Sequence, residues 1–247
     1  MDEEKKEEPI RNSVSIPLTN LTRSFTLQGY LTIPEGPKGI VLFSHGSGSG
    51  RNSPRNNYVT RALNKDGLAT LLVDLLTSEE EQTDICTERL RDKIPGVVLN
   101  RFNIALLTDR LISITDWILR NPYTKRLPLG YFGASTGTAA AIAAATKVPP
   151  QLIGAIVSRS GRPDLAGANN LKLVTAPTLF LVGGNDSPYV IRWNKNALQD
   201  ISSEKKKLVT IPNATHLFEE PGTLEEVARL ASGWFRCFFL ESEHRTS

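Results

Sequence analysis

Cysteine is scarce in this chain, with Cys86 and Cys237 the two in 247 residues. Two thiols cannot staple a domain of this size, so both are read as reduced and a disulfide scaffold is excluded. Long apolar runs are missing too, with nothing near the ~18 consecutive apolar residues of a membrane span. The chain begins acidic, where a secretory leader needs a basic start and an apolar stretch. A cytoplasmic protein with no membrane partner is the expectation. Aromatics are few, 9 Phe, 5 Tyr and 3 Trp, and they do not interleave with basic residues as a single-strand-binding surface requires. Charge of one sign is absent as well: 29 Lys and Arg face 26 Asp and Glu, a net +3. That balance argues against a nucleic-acid partner. Five acids and two lysines lie between Asp2 and Glu8, leaving the rest of the chain at +6. With 18 Gly and 15 Pro, neither collagen nor a low-complexity chain fits.

What is present is the rhythm of one α/β domain. Residues 1 to 12 read as a solvated acidic tail, 13 to 240 as the domain, and 241 to 247 as a polar C-terminal tail. Val14 to Pro17 and Ser24 to Ile33 alternate in part and read as an antiparallel pair at a sheet edge. Gly39 to Ser44, Leu68 to Leu75, Leu127 to Phe132, Ile153 to Ser158, Thr178 to Gly183 and Lys207 to Ile211 are short strand candidates; the first is a continuous apolar run of the kind buried on both faces. Helical patterns separate them, over about Asn57 to Lys65, Arg101 to Arg120, Gly137 to Ala145, Tyr189 to Leu198 and Leu224 to Leu240. The alternation predicts a mostly parallel sheet with helices on both faces and an antiparallel N-terminal edge. Thr77 to Asn100 breaks the rhythm, joining a strand to a helix by a long charged segment. It reads equally as a lid or as an ornamental surface loop.

Gly133-Ala134-Ser135-Thr136-Gly137 fits G-x-S-x-G, and its context is the informative part, a buried strand before it and a helix after it. Small flanking residues permit the tight strand-to-helix turn that presents a serine hydroxyl. The helix N-terminus behind it favours developing negative charge. The bland reading, a tight turn with a serine cap, holds if no base and acid follow. A serine needs a base. Of the three histidines, His244 lies in the tail and His45 in a turn, which leaves His216 in the loop after Lys207 to Ile211. Asp186, at the end of the strand closing on Gly183, can orient that imidazole. Asp164, Glu219 and Glu220 compete for this role. Two amides would stabilise an oxyanion: Thr136, after the nucleophile, and Ser47, in the glycine-rich run Ser44 to Gly50.

That run has a rival reading, since Gly46-x-Gly48 with Asp74 beyond resembles part of a dinucleotide fingerprint. Its third glycine is missing, with Arg51 in that place counting from Gly46 and Ser53 counting from Gly48. No cofactor and no metal are expected. Arg51, Arg55, Arg159 and Arg162 flank the proposed loops, so an anionic substrate is carried as a hypothesis, with Arg51, Arg159 and Arg162 as candidate binding residues. Ordinary ion pairing is the simpler fate for each one singly.

These residues resemble the α/β-hydrolase superfamily and, within it, the dienelactone-hydrolase-like branch of small enzymes without a large cap. Ser135, Asp186 and His216 fall in that superfamily's order of nucleophile, acid and base. The likeness runs from about Leu31 to Leu240. Further stretches, His45 to Arg55, Ser158 to Leu165 and Thr215 to Pro221, are similar to bacterial members of the branch. The resemblance implies the α/β-hydrolase fold and an acyl-transfer hydrolase acting on a small ester. The branch's namesake enzymes use a cysteine nucleophile, whereas this chain has Ser135, which shifts the expectation from dienelactone turnover to a serine carboxylesterase. A lactonase, or a non-catalytic hydrolase-like binding protein, remains the alternative. Oligomeric state is left open.

Overall fold

The computed structural model describes residues 9–19, 24–89 and 96–243. Eight strands form one sheet: β1 (Arg11–Thr19), β2 (Ser24–Thr32), β3 (Ile40–Ser44), β4 (Ala69–Val73), β5 (Leu129–Ala134), β6 (Ile153–Arg159), β7 (Thr178–Gly183) and β8 (Lys206–Ile211). Their spatial order is β1-β2-β4-β3-β5-β6-β7-β8. β1 pairs antiparallel with β2 and β2 antiparallel with β4, and the other pairings are parallel. Every residue of β3, β4, β5 and β7 is buried, because helices cover both faces and an alternating pattern would put polar groups in a core. β2 lies where one face is open and alternates as far as Leu31, burying Leu27, Gly29 and Leu31 with Gln28 exposed and Tyr30 half-buried between them.

Seven helices lie among the described residues: α1 (Pro54–Lys65), α2 (Ser78–Glu88), α3 (Ile104–Arg120), α4 (Thr136–Ala145), α5 (Ala168–Leu173), α6 (Pro188–Asp200) and α7 (Thr223–Glu243). On one face Leu107, Leu111, Ile114 and Ile118 of α3 pack with the alanines of α4, at the i, i+4, i+7 spacing of an apolar stripe. On the other, Val59 and Leu63 of α1 meet Val227, Ala231, Phe235 and Phe239 of α7. Caps fix the helix starts. The Ser53 side chain accepts from the Asn56 amide with Pro54 in the first turn, and Asn103 accepts from Leu106.

Three boundaries differ from the sequence reading. β1 begins at Arg11, so residues 11 and 12 belong to the sheet, where they stand opposite Thr32 and Leu31. Helix α7 runs on to Glu243; residues 1–8 and 244–247 of the proposed tails, His244 included, lie outside the described residues. The Thr77 to Asn100 insertion is not a bare loop, because it opens with helix α2, while its residues 90–95 lie outside the described set. Among the described residues no helix is long and apolar enough to cross a membrane.

The chain leaves β3 for β4 on one side and returns to β5 on the other. The carboxyl ends of β3 and β5 therefore sit side by side, with Ser44 opposite Gly133. Open α/β sheets place ligand crevices at such a reversal.

Candidate active site

Ser135 stands between β5 and α4 with φ 47 and ψ −123. A non-glycine residue at positive φ stores backbone strain, and its neighbours hold it there. The Ser135 amide donates to Arg159 O at 3.3 Å, and its carbonyl accepts from Thr138 at 3.1 Å and Arg162 at 2.9 Å. Gly137 has to be glycine: a Cβ there would lie 2.0 Å from Ser44 O and 2.6 Å from His45 O. Helix α4 thus starts pressed against the end of β3. Gly46 comes just as close from the other side, since a Cβ on it would lie 2.9 Å from Ser135 Cβ.

Two strands further on, Asp186 follows β7 and His216 follows β8. His216 Nδ1 lies 3.0 Å from both Asp186 Oδ1 and Oδ2. A carboxylate accepts only, so Nδ1 carries the proton and donates. Burial pushes the Asp186 pKa up, but the hydrogen bond and charge of His216 and the Ser187 amide, which donates to Oδ1 at 2.7 Å, outweigh it and the net shift is downward. The Asp186 side chain is enclosed, 1% exposed, while the His216 side chain is 38% exposed, so the ring is partly open to solvent. Among the described residues the ring's hydrogen bonds go to Asp186 alone.

The competing acids are engaged elsewhere. Asp164 pairs with Arg162 at 2.8 Å, Glu219 with Arg55 at 2.9 Å, and Glu220 accepts from the Thr215 amide at 3.0 Å. Ser47 and Thr136 do converge, with the Ser47 N–H donating to Thr136 Oγ1 at 3.0 Å. The Ser47 amide therefore has an internal acceptor already. The Thr136 amide, first in α4, has no intrahelical carbonyl to bind.

The three candidate arginines separate. Arg51 is paired with Asp74, which also accepts the Arg51 amide at 2.6 Å. Arg162 makes two bonds to Asp164, at 2.9 and 2.8 Å, and stacks on Trp193 at 3.9 Å. Each has a carboxylate of its own. Asp74 is thus the counter-ion of Arg51, and this accounts for it without a ribose. Arg159 is different: it is 7% exposed, donates to Asn56 Oδ1 at 3.2 Å, and its Nη1 has no partner among the described residues. Burial, with Arg55 adding repulsion, lowers its pKa to about 10.

A cavity of about 530 Å3 opens between the glycine run and α2, lined by Gly46 to Gly50, Arg55, Leu76, Glu81, Ile85 and Leu107 among others. Sequence reasoning read the Thr77 to Asn100 segment equally as a lid or a surface loop and named none of the α2 residues of this wall. Their signal was Thr77-x-x-Glu80, a capping box in which Glu80 N–H donates to Thr77 Oγ1 and Thr77 N–H to Glu80 Oε2. Among the described residues no group of three or more His, Cys, Asp or Glu is placed to hold a metal.

No protein-family model matches the chain. A dienelactone hydrolase from Anabaena variabilis superposes with a TM-score of 0.83 and 51% identity, covering 94% of this chain and 99% of that one. The esterase Est1E from Butyrivibrio proteoclasticus shares 16% identity at a TM-score of 0.69, over 90% and 97% of the two chains, a likeness of fold alone. Two strains of Mycobacterium tuberculosis carry proteins provisionally named phosphoribosyl transferases that are 52% identical over 207 residues, 84% of this chain. The chain spans 43% of the length of those curated relatives.

Proposed function

From the premise that this chain belongs to the α/β-hydrolase superfamily, in its dienelactone-hydrolase-like branch, we propose that it is a serine carboxylesterase. The observation that carries the reading is the strained Ser135 at the β5–α4 turn, with the Asp186–His216 pair at the same edge of the sheet. In this mechanism Ser135 Oγ attacks the ester carbonyl while His216 Nε2 takes its proton. The tetrahedral oxyanion is held by the Thr136 amide and by the Ser47 amide, which exchanges Thr136 Oγ1 for it. His216 returns the proton to the leaving alcohol as the C–O bond breaks. Water then repeats the sequence on the acyl-enzyme, with Asp186 holding the imidazole's tautomer and favouring its protonated form throughout. A lactone is the second substrate class, favoured by the name of the Anabaena relative.

The substrate is proposed to carry an anionic group. Buried charges are ordinarily paired, and Arg159, whose carbonyl binds the Ser135 amide, lacks a carboxylate partner among the described residues. A substrate carboxylate would supply one.

The test is a panel of p-nitrophenyl esters and lactones, in neutral and carboxylate-bearing pairs, with fluorophosphonate labelling. Ser135→Ala should lose labelling and at least ~10³-fold in turnover. Arg159→Gln should lower the ratio of anionic to neutral turnover by about tenfold, a cost of ~1.4 kcal/mol. Persistent labelling of Ser135→Ala would sink the nucleophile, and an unchanged ratio the anionic substrate.

A further inference from the structure

A second cavity, of about 250 Å3, lies where α1 meets the antiparallel edge of the sheet. At ~30 Å3 per water it has room for roughly eight waters, too small for a drug-sized ligand. Among the described residues its charge is all of one sign: Arg11, Arg61 and Lys65 line it, no carboxylate does, and none of the three forms an ion pair. The Arg11 guanidinium is held rather than loose: it lies 3.5 Å over the centre of the Tyr30 ring, with Nη2 donating to Arg51 O at 3.5 Å. Like charges gathered this way repel. Burial lowers the Arg11 pKa, Tyr30 opposes, and Arg61 and Arg51 lower it further.

The floor is polar where a sheet face under a helix is normally apolar. Thr32 of β2 and Thr70 of β4 are cross-strand partners, 7% and 1% exposed. Asn64, 6% exposed, donates Nδ2–H to Thr70 Oγ1 at 3.1 Å and to Leu68 O at 2.9 Å. Because Thr70 Oγ1 accepts that bond, its own hydrogen is left to donate elsewhere. Three cations over a floor of hydroxyl and amide groups match an acceptor-only ligand carrying more than one negative charge.

We propose that this cavity is a binding site for a small, multiply charged phosphate: diphosphate or a compact phosphate ester. The site is separate from Ser135, Asp186 and His216, and it stands or falls independently of the esterase reading.

The experiment is calorimetric titration of the whole chain at low salt with pyrophosphate, inorganic phosphate and citrate. Pyrophosphate should bind more tightly than phosphate, which carries less charge, and more tightly than citrate, whose charge is on carboxylates. The Arg61→Ala/Lys65→Ala double variant should bind pyrophosphate at least tenfold more weakly. Both side chains are exposed, so this variant should keep the wild-type unfolding midpoint and neutral-ester turnover. No binding by wild type, equal binding by the variant, or citrate binding as tightly as pyrophosphate would each overturn the proposal.

Discussion

His45 shows how one side chain can fix a loop through its tautomer. The ring is 8% exposed, its Nε2 accepts the Leu75 amide at 3.0 Å, and its Nδ1 sits 3.0 Å from Gly46 O. Both bonds are satisfied when Nδ1 alone carries the proton. A second proton on Nε2 would set donor against donor at Leu75. Burial accordingly lowers the pKa from its ordinary value near 6.5, with the Gly46 carbonyl and Asp74 opposing. The unfolded chain then binds one more proton than the folded one at pH values between the folded pKa and about 6.5. Stability from this group is complete above that window and declines as pH falls through it, by at most ~1.4 kcal/mol per pH unit. Urea unfolding at pH 7.5 and 5.5 should show a steeper loss for wild type than for His45→Gln. Parallel losses would mean that His45 titrates alike in both states. The sequence set this histidine apart from His216 by its place in a turn. Its role was illegible because Leu75 lies 30 positions away.

Among the elements, α2 is the one that charge rather than apolar burial holds in place. Asp84 is its one buried residue. Asp84 accepts from the Asn100 amide at 2.7 Å and the Arg101 amide at 2.9 Å, and Glu80 pairs with Arg110 of α3 at 2.6 Å, with side chains only 15% and 6% exposed. Breaking a buried pair typically costs 3–5 kcal/mol. Glu80→Gln keeps a side chain that suits the capping box and removes the charge. Its cost should fall near the low end, about 3 kcal/mol, since Arg110 also stacks on Phe25 at 3.7 Å. Amide exchange in Ser78–Glu88 should speed accordingly, and KM for long-chain esters should rise because Ile85 walls the larger cavity. Unchanged exchange would show that α2 does not depend on the pair. The reason this helix escaped periodicity is plain: a helix docked by Glu80 and Asp84 has no apolar stripe. The central strands and α3, by contrast, were legible from their apolar patterns alone, with boundaries displaced by at most a few residues. At the site, strand order already favoured Asp186 over Asp164, Glu219 and Glu220, but the partners that engage those three acids were illegible, because ion pairing joins residues that no local pattern connects.

Across the whole molecule the two ends of the sheet do different work. Ser135, Asp186 and His216 all follow the carboxyl ends of strands, and the glycine run joins them at the β3 end. At the opposite ends helix α7 packs on glycines that leave room for its rings. A Cβ on Gly39 would lie 2.2 Å from the Phe239 ring, on Gly130 2.9 Å from it, and on Gly154 3.2 Å from it. Phe235 and Phe239 are fully buried, with ring centres 5.6 Å apart. Truncating such a ring forfeits its transfer free energy and leaves a cavity that rigid strands cannot close. Phe239→Ala should therefore destabilise by about 3–5 kcal/mol, read as a lower urea midpoint. Because the glycines it seats against begin β3, β5 and β6 rather than end them, the Ser135 turn and the Asp186–His216 bond should keep their geometry. Well below the new unfolding midpoint, kcat/KM on a neutral ester should stay within about twofold of wild type, a change under ~0.5 kcal/mol. A tenfold loss of turnover in the still-folded variant would show that packing at the amino ends of the strands reaches the Ser135 turn.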